Sequence, residues 1–480
     1  MIHSYKYCQE KIKDIGYVVR VKDALVSVKG MTGGVVGEAV AFEDGRHGMI
    51  QTLEPVETQI VVFSREPVAV GTKVARTDSA LKISVGDAML GHTVTALGYD
   101  ADDFKELSSD SEPRPVEVPA LGISFRRKID RFLETGVAVC DLITPLGQGQ
   151  RELIIGDRKS GKTHFLLQVI LSAVNKKQVV VYAFIGKKRV EIERVEQFLK
   201  EHGVRDKCII VSAPASSPAG EIYLAPFTAM TIAEYYRDKG IDSVVILDDL
   251  STHAKYYREI SLLGGKFPGR ESYPGDIFYI HARLLERAGN FNINGRSASI
   301  TALPVAETLG GDFTGYIQTN LASITDGHLF FDSELFLKGI RPAINFFLSV
   351  TRVGRQTQTP LLRNIGFEVL SFLKKHADYQ RYLRFGAEIN ENLRKTVNDG
   401  DKIYSFFNQT GYDVYPSEIS AYLVALIVAG KWNGKAVIVN GKSDGKSAIE
   451  MAKKLALDKS VGEKINKSKT LQELVEKIKK

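Results

Sequence analysis

The sequence predicts a multi-domain α and β protein: an N-terminal antiparallel β-barrel, a central P-loop α/β domain with a mainly parallel sheet, and a C-terminal helical domain. Three observations carry this prediction. Short Val-, Ile- and Thr-rich segments alternate with Gly, Asp and Pro between about Gly16 and Leu81. A glycine-rich loop pattern, Gly156 to Thr163, stands between an apolar run and a helical pattern, and after about residue 359 helical periodicity replaces strand patterns. The domains are accordingly placed at residues 1–81, 82–358 and 359–480, the last ending in a lysine-rich tail.

The barrel rests on runs such as Tyr17 to Val21, Ala24 to Val28 and Gln59 to Phe63, each bounded by turn residues. They lack the basic and aromatic stacking platform of single-strand binders, so a structural collar is expected. Asp100 to Pro119 is polar and proline-containing and reads as a long surface connection. Strands are then expected at Gln150 to Ile155, Val179 to Ile185, Cys208 to Ser212, Ser243 to Asp248, Ser297 to Pro304 and Gly327 to Phe331. In a mainly parallel sheet of this kind, ligands sit at the carboxyl ends of the strands.

Gly156-Asp157-Arg158-Lys159-Ser160-Gly161-Lys162-Thr163 reads G-x-x-x-x-G-K-[ST], after Leu153-Ile154-Ile155 and before an amphipathic helix. Glycines at 156 and 161 permit a turn whose amides point inward, and the following helix offers its positive dipole end to an anion. Lys162 would reach the terminal phosphates of a nucleotide, and the Thr163 hydroxyl would ligate magnesium. The buried run Ser243 to Leu247 ends in Asp248 and Asp249; Asp248, which directly ends the run, is read as the acid that holds magnesium through a water.

With 44% apolar and 25% charged residues over 480 positions, the composition is that of an ordinary soluble protein. Runs such as Ala421 to Ala429 are too short to cross a bilayer and the N-terminus lacks an apolar signal core, so a cytoplasmic location is expected. Cys8, Cys140 and Cys208 have no metal-like spacing and read as buried small apolar residues. The last 28 residues hold nine lysines against four acids, most of the net charge of +7. Their lysines alternate with Leu455, Ile465, Leu471, Leu474, Val475 and Ile478, which argues an amphipathic helix rather than a nucleic-acid-binding arm.

From about Gly16 to Ala429 the chain resembles the alpha subunits of F-type ATP synthases, whose central domain is RecA-like and which alternate with beta subunits in a ring. The resemblance rests on Gly147 to Arg158, Pro268 to Asp276, Ser323 to Gly327 and Gly339 to Asn345. It implies that Arg352, in Ser349 to Gly354, is an arginine finger reaching the γ-phosphate in the beta subunit's site. It places Arg341 and Pro342 beside the adenine of the nucleotide bound here, with Gln409 matching a purine-contacting glutamine. It implies as partners the beta subunits, a central rotor gamma subunit sleeved by Pro268 to Asp276, and the peripheral-stalk delta and b subunits. No nucleic acid is implied, and the inner face of the cell membrane is reached only through the complex. Residues 1 to 15 alone precede the barrel, so a shortened stalk-facing segment is expected.

Three departures refine that implication. Where catalytic relatives carry a glutamate that activates the attacking water, this chain has Lys187, a cation that cannot accept a proton. Its own P-loop site is therefore expected to bind MgATP without turnover, and Glu191 and Glu193 read as an exposed helix face rather than substitutes. Gly411 stands where the family has a second glutamine, and Arg355, where the family has a small residue, is expected to add an interface charge. An autonomous homohexameric motor ATPase would need an acid at Lys187, and a Rho-like translocase would need RNA contacts in the barrel and pore. The sequence supplies neither.

Overall fold

The computed structural model describes residues 4–107, 110–384, 391–432, 437–439, 442–444 and 452–480. The chain forms two compact units: Met1–Arg127, Gln178–Glu307 and Phe313–Thr325 make the first, and Lys128–Lys177, Thr308–Asp312 and Asp326–Lys480 the second. The segment 82–358, expected as one domain, thus contributes to both, because strands pack by pairing rather than by chain order.

In the first unit, six antiparallel strands close into a barrel: β1 (Ile15–Lys22), β2 (Leu25–Lys29), β3 (Glu38–Phe42), β4 (His47–Leu53), β5 (Thr58–Val62) and β6 (Lys73–Ala80), in the order β1-β2-β5-β4-β3-β6, with β6 returning to β1. Alternate residues point inward and fill it with Val18, Val26, Val28, Val40, Phe42, Ile50, Ile60, Val62 and Val74. Closure leaves no exposed sheet edge. Arg76 is buried on β6 and satisfied by Glu38 at 3.1 Å and Asp14 at 3.2 Å, which holds three chain segments at one point.

The same unit carries a parallel sheet. Val179–Lys187 is flanked by Cys208–Pro214 and Ser243–Asp248, the latter by Arg296–Thr308, and the former by a short edge strand, Thr93–Thr95. Apolar residues fill the shared core of these strands, as two-sided burial requires, and Cys208 lies among them. Sequence patterning missed Thr93–Thr95 and the antiparallel strand Gly289–Ile293. It also read Asp100 to Pro119 as connection throughout, whereas Glu112–Pro115 pairs with Lys82–Val85. Arg287, 1% exposed, donates to Glu234 and to the Val116 carbonyl, so a buried guanidinium fastens the end of that connection.

In the second unit the strand Glu152–Asp157 runs parallel to Gly327–Phe331, which pairs in turn with Val350–Thr351. The helices Pro360–Arg384, Glu391–Phe407 and Ser417–Val428 follow. A short hairpin, Val437–Val439 with Lys442–Asp444, interrupts the region expected to be strand-free. The lysine-rich tail is broken into separate helices, among them Lys459–Asn466 and Leu471–Lys479, rather than running as one. Val461, Ile465, Leu474, Val475 and Ile478 are buried while the lysines face outward, and the Leu471 amide donates to Asn364 at 2.8 Å. Cys8 and Cys140 are also buried, and all three cysteines are free thiols. Among the described residues no helix is long and apolar enough to cross a membrane.

Candidate nucleotide site

The loop at residues 156–163 is shaped by two absent side chains. Gly156 ends its strand opposite Phe331, and a Cβ there would stand 2.3 Å from the Phe331 carbonyl oxygen. Gly161 has φ 95°, the left-handed region that favours glycine, and begins the helix Lys162–Asn175 with the Phe336 ring 3.3 Å from where its Cβ would lie. Lys162 is buried, and its ammonium donates at 2.7 Å to the carbonyls of both Gly156 and Asp157. A buried ammonium bonded to carbonyls of the loop itself sits at the floor where phosphate oxygens would be received. Ser160 is buried and donates to the Asp157 carbonyl at 2.8 Å, whereas Arg158, Lys159 and Thr163 are exposed.

Asp157 anchors the loop. Its carboxylate accepts from Thr308 at 2.6 Å, the Gly311 amide at 2.9 Å and Ser333 at 3.1 Å. Burial works against its charge, but these bonds outweigh burial and hold it below the usual carboxylate range. The loop therefore has its shape fixed by the surrounding chain, and a glycine-shaped, lysine-floored turn at a helix N-terminus suits a phosphate chain.

The residues expected at the base end lie in the same unit. Arg341 precedes Pro342 across a cis peptide; its amide donates to Asn408 at 2.8 Å and its guanidinium lies 3.4 Å from the Phe336 ring centroid. Gln409 is used differently from the expectation. It is 4% exposed, accepts from the Ala138 amide at 2.7 Å and donates to the carbonyls of Gly136 at 3.1 Å and Asp413 at 3.3 Å, so both ends of its amide are bonded to main chain. His164, which sequence reading passed over, packs against Tyr412 with ring centroids 4.2 Å apart and planes tilted by 31°, and bonds to the Gly411 carbonyl at 3.1 Å. Its only sequence signal is its position directly after the threonine of the loop. Burial lowers its basicity and the nearby Arg341 charge adds to this, although the Gly411 carbonyl works the other way.

Asp248 and Asp249 lie in the first unit, joined by a cis peptide at the end of a fully buried strand. Lys187, at the end of the neighbouring strand, places its ammonium 2.8 Å from Asp248 and 2.9 Å from Asp249, with Glu307 at 3.9 Å. Tyr182 donates to the other Asp248 oxygen at 3.0 Å, and Asp249 caps the helix Leu250–Leu263 through the Thr252 amide at 2.6 Å. Burial alone would favour neutral lysine, but the two carboxylates outweigh it and hold Lys187 above the ordinary lysine range. The ammonium is thus committed to Asp248, the acid expected to hold magnesium, and to its neighbour Asp249. Glu191 accepts from the Lys188 amide at the next helix start, and Glu193 pairs with Arg189 at 3.1 Å on the exposed face.

Arg352 is exposed, and its amide donates to the Asp326 carbonyl at 3.0 Å. Asp326 is in turn held by Arg151 at 2.7 Å, which fixes the backbone from which Arg352 projects. Below it Glu152 is fully buried and takes a 2.7 Å bond from Gln150; burial pushes its carboxyl well above the usual range. Arg355 is tied within its own unit, donating to the Ile143 carbonyl at 3.1 Å and lying 4.7 Å from the Phe367 ring centroid. Among the described residues no cluster of three or more His, Cys, Asp or Glu side chains forms a metal cage.

Residues 136–351 match the ATP synthase alpha/beta family nucleotide-binding domain. Over 434 residues the chain is 39% identical to the ATP synthase subunit alpha of Neorickettsia sennetsu, covering 87% of this chain and 85% of that one. Over 477 residues it is 37% identical to the ATP synthase subunit alpha of Mycoplasma capricolum, covering 97% and 91%. With the barrel, the phosphate loop and similarity along nearly the whole length in agreement, the chain belongs to the ATP synthase alpha-subunit family.

Proposed function

We propose that this chain is a non-catalytic, MgATP-holding subunit of a rotary F-type ATP synthase, and that its contribution to chemistry is Arg352 acting in trans on a beta subunit. The observation that carries the reading is Lys187. An activating base must accept a proton from water, and a lysine ion-paired at 2.8 and 2.9 Å to Asp248 and Asp249 stays protonated.

Gly156 to Thr163 would hold the phosphates, with Lys162 neutralising their charge and the Thr163 hydroxyl serving magnesium, while Asp248 is engaged by Lys187 and Tyr182. When bound, magnesium screens the phosphate oxygens. Arg341 and Pro342 would border the base, while Gln409, spent on main-chain bonds, would position the 408–413 segment rather than touch the purine. The exposed Arg352 guanidinium suits a developing phosphoryl charge in a neighbour's site. Beta subunits, the gamma rotor and the delta and b stalk subunits are the partners this reading implies, ion transport and membrane attachment belonging to the assembled complex.

Purified chain is expected to bind MgATP without turnover. In the complex reassembled with beta and gamma subunits, Arg352→Ala is expected to lower ATP hydrolysis by about 10³-fold, with this chain's nucleotide binding unchanged. Steady hydrolysis by the purified chain, abolished by Lys162→Ala, overturns the non-catalytic reading; wild-type rates from the Arg352→Ala complex overturn the finger.

A further inference from the structure

We propose that His164 is the specificity-determining residue by which this chain selects adenine over guanine nucleotides, an inference that rests on the reading of Gly156 to Thr163 as the nucleotide cradle. His164 follows Thr163 directly and so stands on the first helical turn beyond the phosphates. It also reaches the 408–413 segment, packing against Tyr412 at a tilt with centroids 4.2 Å apart and bonding Gly411 at 3.1 Å. It therefore bridges the phosphate end and the segment that borders the base.

Several neighbouring polar groups are already engaged. Gln409 is bonded at both ends to main chain, Gly411 brings no side chain, and the Asn408 oxygen accepts from the Arg341 amide. The guanidinium of Arg341 donates at 2.7 and 2.8 Å to the carbonyls of Phe336 and Ile340 and can only donate. The Gly411 carbonyl also takes a bond from Gln168 at 3.2 Å.

A carbonyl can only accept, so the bond to Gly411 assigns the ring hydrogen to Nε2; a neutral ring then leaves Nδ1 as an acceptor. Adenine carries an amine donor at position 6 where guanine carries a carbonyl oxygen. An Nδ1 acceptor completes a bond with the first and opposes the second. A site built to bond a donor rejects the analogue lacking it, because the site's own polar group is left unpaired. Tyr412 holds the ring plane in place.

Equilibrium binding to the purified full-length chain tests this, using magnesium complexes of ATP, GTP and ITP, with inorganic tripolyphosphate as a phosphate-only probe. ITP shares the position-6 oxygen of guanine without its amine. Wild type is expected to favour ATP over both GTP and ITP by about 10-fold or more. His164→Ala is expected to bring ATP down to the GTP level with tripolyphosphate affinity kept. His164→Gln, which can still accept, is expected to retain part of the preference.

A His164→Ala chain that keeps both its tripolyphosphate affinity and its ATP preference overturns the inference, as does equal binding of the three nucleotides by wild type. Wild type binding neither nucleotide nor tripolyphosphate overturns the nucleotide-site reading and this inference together. Loss of base preference with tripolyphosphate binding intact leaves that reading standing.

Discussion

A lysine ammonium within 2.9 Å of two buried carboxylates is an arrangement in which removing either sign is costly, because the group left behind has neither water nor a partner. Asp248 and Asp249 are 6% and 1% exposed, so solvent does not rescue them. Lys187→Gln is expected to destabilise the protein by about 3–5 kcal/mol. Adding Asp248→Asn to that variant is expected to recover a large part of the loss, since the amide no longer demands a counter-charge. Urea denaturation of both variants checks this. A single-variant cost under about 1 kcal/mol, the range of an exposed pair, would show that the cluster is solvated in solution. The same pairing ties the chain's departure at Lys187 to structure as well as chemistry: the cation that cannot serve as a base is also the counter-charge for two buried acids side by side.

The strand, loop and helix that form the phosphate cradle were legible from residues 152–175, because an apolar run, a glycine turn and a 3.6-residue period are all local signals. What was not legible depends on pairing across the chain. Gly289–Ile293 exists as a strand because Arg296–Thr308 offers it an edge, and Thr93–Thr95 because Cys208–Pro214 does. Gln409 looked like a base contact because nothing local reveals that the amides and carbonyls of residues 136–138 would claim it. The two glycines of the cradle make a prediction at this scale. Gly161→Ala meets positive φ and a ring that can shift, for about 1–2 kcal/mol. Gly156→Ala drives a Cβ against a main-chain oxygen of the paired strand, which cannot give way without breaking register, and is expected to cost about 3 kcal/mol. Chemical denaturation should rank 156 above 161; the reverse order would mean that the two strands are not paired at Gly156 and Phe331.

At the scale of the molecule, stability among the described residues depends on pH through buried groups outside the phosphate cradle. His253 and His281 form a pair at 3.2 Å in which His253 donates to the Tyr223 carbonyl at 3.0 Å, so that His281 supplies the shared hydrogen and its Nδ1 is left buried without a partner. Burial lowers His253 to about 4, against the weaker pull of the Tyr223 carbonyl and Asp249, and holds His281 well below its ordinary value. An imidazole with a depressed folded-state pKa takes up its proton first in the unfolded chain. The stability it contributes is therefore complete above about pH 6.5 and falls as pH drops toward 4, by about 1.4 kcal/mol per pH unit for His253. Glu221, pushed up to about 7 by burial, works the other way across much of the same range, so the wild-type curve alone does not isolate the pair. His253→Gln does, because glutamine keeps a donor and an acceptor but cannot charge. Between pH 6 and pH 5 the wild-type protein is expected to lose about 1.4 kcal/mol more than His253→Gln in urea denaturation. Parallel stability curves for the two proteins would show that His253 protonates within the fold and that its neutral, buried state is not what the chain is built around.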